Sequence, residues 1–110
     1  MHELSIAESV VQAVRARTGD EPVAVVRLRV GRLAGVVPDA LRFCFDLAVA
    51  GTPLEGSELV IDEPQGAARC RTCEEHFALE EDLILLCPCG SADVQVMAGS
   101  ELDVVSVDMR

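Results

Sequence analysis

Two cysteine pairs constrain this chain more than any other feature. They read Cys70-Arg71-Thr72-Cys73 and, thirteen residues further on, Cys87-Pro88-Cys89-Gly90. Pairs at this separation can converge on one tetrahedral ion, each forming a tight knuckle, and Gly90 gives backbone freedom where amides turn toward sulfur. Zinc suits such a set, because it accepts four thiolates and closes a structural site. A lobe of about thirty residues cannot sustain itself by apolar burial, so little of it would fold without the metal. A redox dithiol at Cys70 and Cys73 is a rival reading, but it leaves Cys87 and Cys89 without a role. His76, three residues after Cys73, could replace one thiol; we read it instead as a solvated loop residue.

The rest of the chain reads as an α/β frame around this lobe. Leu4, Ala7, Val11 and Val14, with Val10 beside them, predict a helix over 3–18, stopped by Gly19. Val23 to Val30 predicts a strand, with Val26, Leu28 and Val30 on one face and Arg27 and Arg29 on the other. Pro38 and Asp39 open a second helix to about Ala50, with Leu41, Cys44, Phe45 and Ala48 on one face. Cys44 is therefore a small buried hydrophobe, not a ligand. Ser57 to Glu63 is a short strand with Leu59 and Ile61 on one face. Val105, Val107 and Met109 alternate in a last strand, too short to fold alone, that must pair with the earlier ones. The expected fold class is α+β: a mixed sheet of about three strands with two helices, over residues 1–66 and 97–110, and an inserted zinc-ribbon-like lobe over 67–96.

Charge then excludes several partners. The 110 residues carry 19 acids against 9 basic residues, a formal net charge of −10. Nucleic acid demands the opposite balance, and so does an anionic membrane surface. Within 67–99 only Arg69 and Arg71 oppose Glu74, Glu75, Glu80, Glu81, Asp82 and Asp93, so a nucleic-acid zinc ribbon is improbable. The N-terminal segment does not read as a secretory signal, since Glu3, Glu8 and Gln12 interrupt it. No apolar stretch reaches the roughly 18 residues of a membrane span. A cytoplasmic protein follows, in which paired cysteines bind metal more readily than they form disulfides. No nucleophile, base and orienting group stand out as a set, so an enzyme is not expected.

Position 2 has chemistry suited to one task. The amine of Met1 and the backbone nitrogen of His2 close a five-membered chelate ring. The imidazole of His2 and that same backbone nitrogen close a six-membered ring, and the Glu3 amide nitrogen would complete a plane of four nitrogens. Square-planar nitrogen donors favour Ni(II) or Cu(II). The side chains of Glu3 and Glu8 read more simply, as an acid complementing its own helix dipole and an exposed helix residue.

These residues together resemble a known family. Met1-His2-Glu3-Leu4-Ser5, Val30-Gly31-Arg32-Leu33 with Val37-Pro38, Leu41 and Phe43, Gly51-Thr52 with Leu54-Glu55-Gly56, the paired cysteines and Gly99-Ser100-Glu101-Leu102 are similar to HypA/HybF-type hydrogenase nickel-incorporation proteins. The resemblance covers essentially the whole chain. It implies a nickel site at Met1, His2 and Glu3 and a zinc site at Cys70, Cys73, Cys87 and Cys89. It also implies delivery of Ni(II) to the large subunit of [NiFe]-hydrogenase, together with a nickel-handling GTPase accessory protein and, in some organisms, urease accessory proteins. The departure is Cys87-Pro88-Cys89, where the family normally has one more residue between the cysteines. Two alternatives compete with a nickel metallochaperone: a zinc-ribbon protein-interaction module and a thiol redox protein.

Overall fold

The computed structural model describes residues 2–79 and 84–110. Its elements run α1 (His2–Thr18), β1 (Val23–Val30), α2 (Pro38–Val49), β2 (Glu58–Asp62), β3 (Gly66–Cys70), β4 (His76–Leu79), β5 (Val94–Ala98) and β6 (Leu102–Met109). They form two three-stranded sheets, β2-β1-β6 and β4-β3-β5. The chain divides into two compact units: one of Met1–Arg29, Val36–Asp62 and Asp103–Arg110, the other of Val30–Gly35 and Glu63–Leu102.

In the first unit the expected helices and strands form close to their predicted bounds. β1 and β2 are parallel, with Val26 opposite Leu59 and Leu28 opposite Ile61, and α2 makes the crossover between them. β1 buries Val23, Val26, Leu28 and Val30 and leaves Arg27 and Arg29 half-buried, the alternation its sequence demands. Those arginines reach across to β6: Arg27 pairs with Asp108 at 2.9 Å and Arg29 with Asp103 at 3.6 Å. The Arg27 bond and charge hold the Asp108 carboxyl below its ordinary range. The core of the unit is aliphatic apart from Phe45. Ala7, Val10, Val11 and Val14 of α1 meet α2, which contributes Leu41, Phe45 and Val49.

Two expectations change. Leu4 is 39 % exposed, and Glu3 occupies the inner face of α1 in its place. The arc of Ala7, Val10, Val11 and Val14 is centred so that position 3 falls inside it and position 4 at its edge. Of the alternating Val105, Val107 and Met109 in β6, Val105 and Met109 are 49 % and 39 % exposed and Val107 is half-buried, as are Val104 and Ser106. Cys44 is half-buried on α2.

The second unit is built on β3, with β4 and β5 antiparallel on either side. Gly66 faces Leu79 and Arg69 faces His76 across one ladder; Ala68 faces Val96 and Cys70 faces Val94 across the other. The segment after β1 is clasped by backbone bonds: the Gly31 amide donates to Glu101, Arg32 to Pro64 and Leu33 to Gly99. Approach is so close that a Cβ on Gly31 would run into the Gly99 carbonyl, and one on Gly99 would lie 2.6 Å from Gly66 Cα. Gly99 also holds φ at +112°, a region side chains rarely tolerate. Gly31→Ala should therefore lower the unfolding free energy by about 1–3 kcal/mol through overpacking against backbone. Urea titration followed by far-UV circular dichroism checks this, and an unchanged midpoint would show that the backbone yields.

Candidate metal centre

Four cysteines converge at one end of the second sheet. Cys70 is the last residue of β3, and the turn from Arg71 to Glu75 that leads into β4 carries Cys73. This turn is tight: the Glu74 amide donates to Cys70, the Cys70 amide to Glu75, and Glu74 takes φ +65°. The second knuckle precedes β5. Its Gly90, at φ +96°, donates to the Cys87 carbonyl, while the Cys87 amide donates to Ser91. The knuckles are fastened to each other by a 2.9 Å bond between the Thr72 and Ser91 hydroxyls and by Arg71 Nη1 on Asp93 Oδ1, also 2.9 Å. Arg71 further donates its amide to the Asp93 carbonyl. Ser91, following Gly90, accepts from the Asp93 amide with its own hydroxyl, a local turn signal that the sequence reading passed over.

The geometry fits a tetrahedral metal. Cys70 Sγ lies 3.8 Å from Cys89 Sγ, and Cys73 Sγ lies 3.6 Å from Cys87 Sγ. All four sulfurs fall within 4.8 Å of one another. A tetrahedron with metal–sulfur bonds of about 2.3 Å has edges of about 3.8 Å. Backbone amides point at sulfur as a thiolate requires: Cys73 donates to Cys70 Sγ at 3.5 Å and Cys89 to Cys87 Sγ at 3.4 Å. The short Cys87-Pro88-Cys89 link thus still presents both sulfurs to the centre. Cys70 and Cys87 are buried, whereas Cys73 and Cys89 are exposed. His76 is not one of the converging groups; it is an exposed strand residue at the start of β4, not a loop residue.

Electrostatics give the same answer. The Cys73 amide, helped by the Thr72 amide and neighbouring thiols, lowers Cys70 to about 6 against the cost of burial. For Cys87 the Cys89 amide favours the thiolate, but burial and the other three thiols outweigh it and push the group up to about 12. Cys73 is also raised, since burial and the thiols of Cys70 and Cys89 overcome the Glu75 amide. Crowded anions of one sign cannot all ionise unless a cation joins them. Metal must therefore displace the protons that Cys73 and Cys87 retain at neutral pH. The expected sign is weaker binding in acid, by about tenfold per pH unit for each proton displaced. Competition against a chromophoric chelator from about pH 8 to 6 measures it; a flat affinity would contradict thiolate ligation.

Of the other sequence-predicted site residues, His2 and Glu3 lie in the first unit. Met1 lies outside the described residues, as do Glu80, Glu81, Asp82 and Leu83. His2 begins α1 and is exposed. Its Nε2 lies 3.3 Å from Glu3 Oε2, and that oxygen accepts the Val37 amide at 3.3 Å. Glu3 is buried, 8 % exposed, and its carboxyl is held below the ordinary range, chiefly by the Val37 amide. Sequence reasoning placed Glu3 as an acid for its own helix dipole. The carboxylate does take its own backbone amide, and it also reaches the start of α2, a pairing across 34 positions that local spacing does not reveal.

Fold and site define a small α+β metal-binding protein with a four-thiol lobe. Comparison with known proteins makes this specific. Residues 1–109 match the family described as "Hydrogenase/urease nickel incorporation, metallochaperone, hypA". Among its relatives, the hydrogenase maturation factor HypA of Streptomyces avermitilis is 49 % identical, with 97 % of this chain and 86 % of that one covered. The protein of the same name from Chloroflexus aggregans is 44 % identical, with 98 % of each chain covered. The solution structure of the Ni metallochaperone HypA from Helicobacter pylori shares the fold, at a TM-score of 0.68 and 18 % identity over 99 % of this chain and 97 % of that one. The chain belongs to the HypA family of hydrogenase-maturation metallochaperones. It is a maturation factor, not an enzyme.

Proposed function

We propose that this chain captures Ni(II) at Met1, His2 and Glu3 and hands it on during maturation of [NiFe]-hydrogenase. Cys70, Cys73, Cys87 and Cys89 hold a structural Zn(II). The observation that carries the first part is the placement of His2. Its exposed imidazole stands on the first turn of α1, where backbone N–H groups have no acceptor within the helix. Main-chain nitrogens there are available to a metal, and the Met1 amine would add a third kind of nitrogen donor. A site at an open helix end can bind and also release, which cargo transfer requires. For zinc, the support is the all-sulfur donor set and its near-tetrahedral spacing. A nickel-handling GTPase accessory protein and the hydrogenase large subunit are the proposed partners, with urease accessory proteins in some organisms. The cytoplasm is the proposed compartment; no described helix is long and apolar enough to cross a membrane.

Native mass spectrometry of untagged protein titrated with Ni(II) tests the cargo site. Wild type should take up nickel in addition to zinc, whereas His2→Ala should retain zinc and lose nickel. Residues placed ahead of Met1 should also weaken nickel uptake, by turning the amine into an amide, while a C-terminal extension should not. Equal nickel uptake by all these proteins would rule out the terminal site.

We further propose that 67–96 folds as a zinc-dependent lobe beside a nickel-binding domain of 1–66 and 97–110. Cys73→Ala should then release zinc and abolish amide protection across 67–96, leaving α1 and α2 protected. Persistent zinc with unchanged hydrogen exchange would reject the four-thiolate site.

A further inference from the structure

The cysteine lobe leaves more large apolar side chains at its surface than it buries. Among the described residues of 67–96, Leu79 is the one large aliphatic side chain withdrawn from solvent, whereas Ile84, Leu85 and Leu86 are about half exposed. A groove of about 460 Å³ lies among these side chains. Phe77 and Leu79 of β4 line it, together with Ile84, Leu86, and Cys87 and Pro88 of the second knuckle. No charged or amide side chain contributes to the lining. A small ligand buries most of its surface and is oriented by a few placed polar groups. A half-exposed apolar lining without such groups suits the side chains of another protein instead.

Charge narrows what that protein can be. Within 67–99, Arg69 and Arg71 are the only arginines or lysines against six acids. Both are already paired, Arg69 with Glu74 at 3.3 Å and Arg71 with Asp93 at 2.9 Å. Neither is therefore left to oppose Glu75, which is exposed and immediately precedes β4. With zinc in place, four thiolates add net negative charge at Cys87, in the lining itself. An acidic partner or an anionic lipid surface is repelled by such a field, and a cationic segment is drawn to it.

We propose that the cysteine lobe is a docking site for a basic amphipathic segment of a partner protein. Apolar side chains of that segment enter the groove, and its lysines or arginines meet the acids around it. Recognition of an apolar face by a groove is a recurring mode of peptide binding. The proposal rests on the zinc reading above, because the knuckle that carries Cys87 and Pro88 depends on the metal. Holding zinc then maintains a surface for a partner, at a place distinct from the proposed nickel donors.

The test uses full-length, 15N-labelled protein loaded with zinc. It is titrated with two synthetic amphipathic peptides of one leucine pattern, whose polar positions are all lysine or all glutamate. The lysine peptide should shift amides of 77–79 and 84–87, and the glutamate peptide should not. Ile84→Ser and Leu86→Ser, at half-exposed positions, should each weaken lysine-peptide binding by about tenfold, with zinc and the spectrum elsewhere retained. Phe43→Ser, which removes an exposed apolar side chain of α2, should leave binding unchanged. Removal of zinc by a chelator should abolish the shifts in the lobe. Equal binding of both peptides, shifts centred outside the lobe, or wild-type affinity in both lobe variants would overturn the proposal. Self-association in sedimentation that Leu86→Ser abolishes would also overturn it, by assigning the groove to a second copy. Absence of zinc from the wild type would remove the lobe reading and the proposal with it. Zinc bound without a response to the lysine peptide would remove the proposal alone.

Discussion

The convergence of four sulfurs is the constraint on which the second half of the chain depends. Around β3 to β5, Ala68 and Leu79 are the fully buried apolar side chains among the described residues beside Cys70 and Cys87 themselves. That is far too little apolar surface to offset the conformational entropy of ordering so many residues. The cysteines serve in place of a core, and their amide and hydroxyl fastenings shape the knuckles around them. Ile84, Leu85 and Leu86, which in a larger domain would be interior residues, are about half exposed here. The lobe is organised around four converging sulfurs, with hydrophobic burial in a minor part.

This division explains what the sequence made legible. In β1 and α2, and in α1 beyond its first turn, periodicity and packing agree, because each buries one face of an aliphatic core, whereas β2 only half-buries Leu59 and Ile61. Val26, Leu28 and Val30 could be assigned from alternation alone. By contrast, β3 to β5 escaped the reading as strands. Gly66-Ala67-Ala68-Arg69-Cys70 and His76-Phe77-Ala78-Leu79 are short and rich in small residues, and they offer little hydrophobic face for alternation to reveal. The cysteines themselves were plain, as spacing reports chelation directly. The burial of Glu3 was not foreseen because a charged residue is set aside when an apolar stripe is sought, although its helical position lies inside that stripe. Its partner at Val37 is a backbone amide, which leaves no signature in the residue type.

The two metal environments are opposite in kind. At the cysteine lobe every donor is a side chain held by a turn, and two of the four sulfurs are withdrawn from solvent. Such a site would suit retention of the proposed zinc. At the start of α1 the proposed donors are largely main-chain nitrogens with one exposed imidazole. Retention and transfer would thus call for different architectures in one small chain.

The position of the cysteine lobe in the chain has a consequence for assembly. Residues 63–101 separate β2 from β6, yet β6 must return to lie beside β1. Closing so long a segment carries an entropic cost that grows with the logarithm of its length. A metal that clips Cys70 to Cys89 takes the residues between them out of the path and roughly halves it, worth about 0.6 kcal/mol of closure entropy. An ion bound in one sheet therefore eases the arrival of the last strand in the other, and does so through chain connectivity alone.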